Sequence, residues 1–421
     1  MSKIERLFEW IKENGGSLNP SLRYSEETKL YISDKIGAPG VYLFKMPKKL
    51  CIDDGIYKNF RSPYDVTFTE EEKEVFNQPF FKVILNLVSE KLKGKESFYY
   101  PFLSSLPKME DMIKSPIFLY SSQKELWKTI LPSVIVKLDN LNEFYVNLYK
   151  VIKKIQIFEN IDMKKFPPRF ETKDEILKTL TLWAFLIVNS YAVDKKYLLP
   201  LYNLMHYNHE TQNQIVFIEQ SNSLNLSYNS IDNQQIIINN GILDNESLFV
   251  IYGYMNLNEK KFLEIKLSNN YSLYDDKEVI EKVKYTFEHW FDRNIQKYYI
   301  TEDVPSVSLV QYLRIISLSS KDIKLLDPED DKYFTQLISM DNESEVYQKL
   351  LKIVLIKFEQ LRELNDKIVK DDKDDVLILK KILQEQKNIL KSMYYEIHKK
   401  WIGIMDTELD EKLMKDLFKL D

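Results

Sequence analysis

Cysteine, histidine and glycine are scarce in this chain of 421 residues. The single cysteine, Cys51, excludes a disulfide within the chain, which is typical of a reducing compartment. One cysteine and four histidines exclude a cysteine-based zinc site. His206 and His209 are three positions apart, and without a third ligand we interpret them as structural, so no metal is expected. Glycine is about 2% of the chain against a usual share near 7%, and the absence of GxGxxG and GxxxxGK[ST] argues against dinucleotide-binding and P-loop folds.

The chain also lacks a long hydrophobic run and an excess of basic charge. Its longest uncharged apolar run, LTLWAFLIVNSYAV (180–193), is shorter than the roughly 20 residues that span a bilayer, so it predicts a buried helix. Residues 1–16 predict an amphipathic helix rather than a signal peptide, because charges interrupt them. The net charge is −5, with both signs interspersed. We therefore expect neither a nucleic-acid nor a membrane partner, and we expect a cytoplasmic or nuclear protein.

Hydrophobic residues make up 44% of the chain, which is long enough for two or three domains. Apolar periodicity predicts a mixture of short strands and helices up to about residue 275 and helices alone beyond it. The charged runs DPEDDK (327–332) and KDDKDD (370–375) predict solvated loops. Helices are predicted at 3–14, 69–93, 121–157 and from Lys173, and strands at 29–33, 41–47, 215–220, 223–229 and 234–240.

Several segments, taken in order along the chain, resemble one family. They are FEWIKENGGSLNPSLRY (8–24), KMPKKLCID (45–53), SFYYPFLSSLP (97–107), LLPLYNLMHYNHE (198–210), ESLFVIYGY (246–254), SLVQYLRIISLS (308–319) and SMDNESEVYQKLLKIV (339–354). Their order and spacing are similar to those of the SET-domain methyltransferases of the Rubisco large-subunit lysine methyltransferase type, a family that includes the actin-histidine methyltransferase.

The resemblance implies an α+β fold in two parts. Residues 1–270 would form a SET domain of short β-sheets with a helical insert at about 65–190, and residues 271–421 an all-α substrate-binding lobe. It also implies methyl transfer from S-adenosylmethionine to a lysine or histidine of a protein, which would bind through the C-terminal helical lobe.

The family's cofactor pocket is changed at two places in this sequence. Its glycine-containing turn corresponds to residues 26–29, so that Lys29 and Leu30 would lie at the cofactor, and neither glycine is present. Glycine allows a close backbone approach because it has no side chain. The arginine with which the family contacts the cofactor corresponds to Tyr191.

The family's Asn-His pair, which holds the cofactor, corresponds to Asn208 and His209. Asn203 stands near the position of the family's aspartate. The spacing between Asn203 and the Asn208-His209 pair is two residues longer than in the usual motif. A second alignment therefore places His206 at the asparagine position, and both alignments remain open.

The catalytic tyrosine of the family falls on Asn240. Gly241 aligns with the glycine that follows that tyrosine, and Tyr252 lies in a YGY segment that matches the family's YGF. An amide hydrogen-bonds but does not titrate, and it leaves space where a ring would stand. Tyr252 or Tyr254 is a candidate for the missing role.

Three hypotheses follow from these residues. The chain is an active protein N-methyltransferase with a divergent site, or a catalytically inactive pseudo-methyltransferase that binds a protein partner as a scaffold. The third is that the resemblance is accidental and the chain is a helical interaction protein.

Overall fold

The computed structural model describes residues 2–33, 41–55, 68–112, 115–155, 161–168, 170–207, 215–228, 236–238, 244–253, 255, 261–265, 298–319, 321–322, 338–365 and 373–405. The chain divides into two compact units. The first comprises Met1–Lys124, Ile135–Leu243 and Val250–Gly253, and the second Glu125–Val134, Asp244–Phe249 and Tyr254–Asp421. The predicted boundary at residue 270 lies outside the described residues. The division into a SET domain over 1–270 and a substrate-binding domain over 271–421 therefore stays a prediction.

The first helix, α1 (Lys3–Glu13), confirms the prediction for the start of the chain. It begins at a capping box, in which the Glu5 N–H donates to Ser2 Oγ and the Ser2 N–H donates to the Glu5 carboxylate. It ends at two glycines with different roles. Gly15 has a φ of +87°, and a Cβ on Gly16 would lie 2.4 Å from Ile11 Cγ2. The double glycine therefore lets the chain turn tightly back over α1.

Proline divides two of the predicted helices. Residues 69–93 form α2 (Glu70–Asn77) and α3 (Pro79–Lys93), so a single helix there is wrong. Proline has no N–H to donate and fits the first turn of a helix, where no partner is needed. The predicted helix at 121–157 divides in the same way before Pro132. The helices that follow α3 are α4 (Tyr100–Leu103), α5 (Met109–Met112), α6 (Pro116–Ile130) and α7 (Pro132–Lys154).

The next helix, α8 (Lys173–Tyr191), begins where the sequence predicts. A capping box between Thr172 and Glu175 starts it. Trp183 is fully buried in it, and its indole N–H donates to the Pro107 carbonyl at 2.9 Å. This helix contains most of the longest apolar run, which confirms a buried helix. Among the helices of the described ranges, none is both long and apolar enough to cross a membrane.

The strands of the first unit are short. They are β1 (Ser17–Leu18), β2 (Leu22–Ser25), β3 (Lys29–Ile32), β4 (Val41–Pro47), β5 (Ile52–Asp53), β6 (Ala192–Val193), β7 (Tyr197–Leu198), β8 (His206–Tyr207), β9 (Ile215–Glu219), β10 (Ser223–Tyr228) and β11 (Ile237–Ile238). A four-stranded antiparallel sheet has the order β1-β4-β10-β9, a three-stranded sheet has the order β5-β7-β6, β2 pairs with β3, and β8 pairs with β11. Leu43, Phe44, Leu224 and Leu226 are fully buried in the four-stranded sheet.

Long helices dominate the described part of the second unit. A buried ion pair joins two of them: the Arg314 guanidinium donates to both carboxylate oxygens of Glu343, each at 2.9 Å. The helices with residues in this unit that follow α8 are α9 (Asn245–Tyr252), α10 (Val307–Ile316), α11 (Met340–Asn365) and α12 (Asp374–Met405).

Two features of the second unit differ from the prediction. The last two residues of KDDKDD are not in a loop but in the first turn of α12. There Asp375 accepts a 2.7 Å hydrogen bond from the indole N–H of Trp127, so this carboxylate holds a buried aromatic residue. In addition, β12 (Phe262–Ile265) pairs with β13 (Tyr298–Thr301), which places a strand where helices alone are predicted.

Candidate functional site

Three segments of the first unit lie side by side at the predicted site. β8 and β11 are parallel, with Ile237 opposite His206. The Ile236 N–H donates to the carbonyl of Leu30 at 3.1 Å, so β3 lies against the start of β11. A parallel pair cannot be joined by a tight hairpin, so the fold itself brings these distant segments together.

Three of the predicted site residues lie beyond this meeting point in the sequence. Asn208 and His209 follow β8, and Asn240 follows β11. All three lie outside the described residues, as do Gly241 and Tyr254, so their roles stay predictions. His206, the alternative to Asn208, is in β8 itself.

The backbone at Lys29 has the conformation that glycine favours. Lys29 opens β3 with a φ of 57°, a left-handed value that lysine adopts at a cost and glycine without one. Its ammonium group lies 3.8 Å from the Glu26 carboxylate, and the Lys29 and Glu26 side chains are 42% and 89% exposed. The glycine implied by the resemblance is therefore absent while a left-handed backbone remains at this turn.

Both the side chain and the backbone of Leu30 contact other parts of the first unit. Its side chain is fully buried, its residue pairs with Tyr24 across the β2–β3 hairpin, and its carbonyl accepts the Ile236 N–H. These contacts fix the position of β3. The predicted contact of Leu30 with a cofactor stays a prediction.

Tyr191 is the last residue of α8 and is only partly buried. The chain continues directly into β6, which pairs with β7. Tyr191 is thus fixed at a junction between a buried helix and a sheet, with its side chain partly accessible to solvent.

The turn that leads into β8 is strained. Leu201 is fully buried yet has a φ of 75°, and such conformations of non-glycine residues concentrate at functional sites. Next to it, the Asn203 amide donates to the Ser105 carbonyl at 3.1 Å. Its own oxygen, Oδ1, is buried and has no hydrogen-bond partner among the described residues. A buried acceptor without a donor is uncommon and indicates a place where a further donor fits.

Two tyrosines complete the described part of the site. Tyr252 ends α9 and is followed by Gly253, which has a φ of 77°. Tyr202 lies in the strained turn, and burial raises its pKa to about 12, with smaller contributions from Asp194 and Tyr252. Tyr202 was not predicted from the sequence. Its position between Leu201 and Asn203, in the segment that resembles the family's cofactor-binding motif, is the signal that would have found it.

No group of three histidine, cysteine, aspartate or glutamate side chains in the described part of the chain is placed to hold a metal ion. The described part of the candidate site offers backbone groups, the Asn203 amide and the phenols of Tyr191, Tyr202 and Tyr252.

Comparison with known proteins finds structures but no sequence relatives. No protein-family model matches the sequence, and no curated protein matches it. The SET domain of LSMT bound to lysine and AdoHcy is 18% identical with a TM-score of 0.57, over 99% of this chain and 96% of that one. Rubisco LSMT bound to AdoMet is 20% identical with a TM-score of 0.55, over 99% of this chain and 96% of that one. Rubisco LSMT bound to sinefungin and monomethyllysine is 18% identical with a TM-score of 0.57, over 100% of this chain and 97% of that one.

These matches confirm the fold that the sequence predicts, an α+β SET domain with a helical lobe. At identities of 18–20% they establish the fold alone.

Proposed function

We propose that this chain is a SET-domain protein methyltransferase that transfers a methyl group from S-adenosylmethionine to a lysine or histidine of a protein. The observation that carries the proposal is the match of fold along almost the entire chain to LSMT structures solved with AdoMet, AdoHcy or lysine. The meeting of β3, β8 and β11, which the predicted residues Asn208, His209 and Asn240 follow in the sequence, supports it.

The residues of the first unit fit such a cofactor in two respects. The Asn203 oxygen, which has no partner among the described residues, offers a buried acceptor, and the left-handed backbone at Lys29 retains the shape of the turn despite the lost glycine. We propose that Lys29, Leu30, Tyr191, Asn208 and His209 hold the cofactor.

When bound, S-adenosylmethionine supplies a methyl group on a sulfonium, and transfer breaks the S–C bond as the N–C bond forms. The chain's task is to hold the target nitrogen in line with that bond. Burial raises the pKa of Tyr202 to about 12, so its hydroxyl, like that of an unperturbed tyrosine, is protonated at neutral pH and can donate a hydrogen bond. We assign Tyr252 the orientation of the target nitrogen, with the Asn240 amide at the position of the family's tyrosine. The proton of the target nitrogen leaves to water.

The described part of the second unit contains a groove that suits a protein substrate. It has a volume of about 390 Å³ and is lined by residues of α10, α11 and α12, among them Val310 and Leu350. Val304 and Val307 at this groove are 43% and 70% exposed. Exposed apolar side chains beside a groove are typical of protein-binding surfaces. We propose that the target protein docks there.

The test is cofactor binding by calorimetry and thermal unfolding, with S-adenosylmethionine and S-adenosylhomocysteine as ligands. A ligand at a hundred times its dissociation constant raises the free energy of unfolding by about 2.7 kcal/mol, which moves the midpoint by several degrees. Tyr191→Phe should weaken binding by about tenfold, or about 1.4 kcal/mol. Tyr149→Phe is the matched control, because Tyr149 lies on α7 and its hydroxyl contacts the Asp174 carbonyl.

Absence of binding at millimolar cofactor would overturn the enzyme proposal in favour of the inactive scaffold, which stays the alternative. With binding established, Asn240→Tyr tests the catalytic position. Activity that appears only in this variant would show an intact pocket with a lost catalytic group. A cytoplasmic or nuclear location stays a prediction.

A further inference from the structure

A second cavity lies in the first unit, among residues that the methyl-transfer proposal does not use. It has a volume of about 410 Å³, within the range of small-molecule sites. Residues of α1, α3, α4, α5 and α8 line it.

The charges around this cavity are mostly positive. Four lysines line it, against the one carboxylate of Glu110; the lysines are Lys3, Lys91, Lys108 and Lys165. Lys165 lies 4.0 Å from the Glu96 carboxylate. The other three have no carboxylate within 4.0 Å among the residues that the structure describes. Among the described residues, basic side chains therefore outnumber acidic ones at this cavity.

Lys91 is the central residue of this arrangement. Its ammonium group lies 4.8 Å from the centre of the Trp183 ring, and Trp183 is fully buried and fixed by its hydrogen bond to Pro107. The ring holds the ammonium by a cation–π contact but supplies no negative charge. Burial lowers the pKa of Lys91, partly opposed by Glu110. An anion placed against the Lys91 ammonium group would stabilise its charged form.

Apolar side chains form most of the rest of the cavity wall, which also includes Tyr100 and Ser104. Leu103, Leu106, Met109 and Leu180 line it, and all four are buried in the fold. Phe166 adds an aromatic side chain. Such a wall favours a ligand with a hydrocarbon body rather than a free inorganic ion.

We propose that this cavity binds a small amphiphilic anion, with its carboxylate or phosphate against Lys91 and its acyl or aryl body against the leucines. The cavity is concave and of small-molecule size, which favours a free molecule over a membrane surface or a peptide. The proposal is independent of methyl transfer, because it uses none of the residues assigned there.

The probes are octyl phosphate and 2-naphthyl phosphate, titrated into the full-length protein by calorimetry. At least one of them should bind with a submillimolar dissociation constant, and the binding should weaken as salt screens the charges. Inorganic phosphate and 2-naphthol, which each lack one half of the ligand, should bind about tenfold more weakly or not at all. Saturating S-adenosylhomocysteine should leave probe binding unchanged, which separates this cavity from the proposed cofactor site.

The variants locate the binding. Lys91→Gln should weaken it about tenfold, and Lys91→Arg should retain it because the charge remains. Lys95→Gln is the matched control: it removes the same charge from an exposed lysine close to the cavity but not in its wall. Lys108→Gln is a second variant in the wall and should also weaken binding, should Lys91→Gln fail to fold.

Three results would overturn the proposal. One is the absence of binding of both phosphate probes at millimolar concentration. The other is equal binding by the two glutamine variants of α3 and the turn after it, Lys91→Gln and Lys95→Gln. Binding to phosphatidic acid vesicles without binding of the soluble probes would also count against it, in favour of a membrane surface.

Discussion

Left-handed backbone conformations in the described part of the chain mark single residues with special positions. Lys29 and Leu201 begin segments that meet at the candidate site, whereas Asp194 and Lys195 form the tight turn between β6 and β7. Aspartate and lysine in an exposed turn cost little, but a fully buried leucine or a lysine at the start of a strand is unusual. The unusual backbone strain at Lys29 and Leu201 therefore occurs in segments of the candidate site.

At Lys29, we predict that substitution by glycine is neutral or stabilising by up to about 1 kcal/mol. Glycine removes the steric cost of the left-handed conformation, and this offsets the greater freedom that it gives the unfolded chain. The lost ion pair with Glu26 matters little, because both side chains are exposed. Chemical denaturation at constant temperature measures the change.

Lys45→Gly is the control for this prediction. Lys45 is an exposed residue of β4 without a left-handed backbone, so glycine there should destabilise the protein by about 0.5–1 kcal/mol. Equal losses at the two lysines would contradict the interpretation of strain.

At the scale of elements, two of the segments that carry the family resemblance are joined by side-chain contacts. Arg314 of α10 pairs with Glu343 of α11, and the Asn342 amide donates to the Arg314 carbonyl at 3.0 Å. The Arg314 and Glu343 side chains are 13% and 7% exposed. The segments of the second unit that carry the family resemblance therefore contain residues that hold α10 against α11.

This pair predicts strong coupling between α10 and α11. Arg314→Met alone should cost about 3–5 kcal/mol, because it leaves the Glu343 carboxylate buried without its partner. The double variant Arg314→Met with Glu343→Leu should recover most of that loss, since neither charge remains. Urea unfolding of the four members of this cycle measures the coupling.

A second ion pair on α11 provides the comparison. Arg362 and Glu359 are in contact at 2.5 Å, but their side chains are 47% and 41% exposed. Arg362→Met should therefore cost less than about 1 kcal/mol. A loss of similar size at Arg314 would show that burial does not strengthen the pair between α10 and α11.

The sequence predicts elements better than their connections. Periodicity locates α1, α8, β4 and β10 because each has a regular apolar pattern of its own. It misses the breaks before Pro79 and Pro132. The apolar pattern continues through each proline, but the helical hydrogen bonding stops there because proline has no N–H to donate. The parallel pairing of β8 with β11 and the burial of Tyr202 depend on residues distant in sequence, so no local pattern contains them. Family resemblance recovers part of this information through the order of the motifs.

At the scale of the whole molecule, one buried carboxylate couples stability to pH. Burial raises the pKa of Glu385, while the Asn245 amide, which donates to it at 2.6 Å, and Lys261 at 3.8 Å partly oppose the shift. Glu302 and Asp244 raise it further. Because the folded state holds this proton more tightly than the unfolded chain, the contribution of Glu385 to stability is full below its ordinary pKa. It is lost as the pH rises through the folded-state pKa.

We therefore predict that Glu385→Gln raises the free energy of unfolding at pH 7 relative to the wild type, with a smaller difference at pH 4. Glutamine keeps an acceptor for Asn245 and never carries the buried charge. Unfolding midpoints in urea across this range measure the difference between the two proteins. Glu345→Gln, at an exposed carboxylate of α11, should show no such trend, and a matching trend there would contradict the assignment to Glu385.

The four-stranded sheet determines when the first unit can form during synthesis. β4 pairs with β1 on one side and with β10 on the other, and contacts at this sheet join positions as distant as Lys48 and Glu219, 171 residues apart. At ordinary elongation rates the ribosome needs roughly 10–35 s to add that length of chain. Through this interval Leu43 and Phe44 lack their pairing with β10, while α1 is already present and the helices from α2 to α8 are being translated. At the end of the interval the nascent chain thus carries an incomplete sheet beside helices that have already been translated, and the exposed apolar residues of that sheet make this an aggregation-prone stage of synthesis.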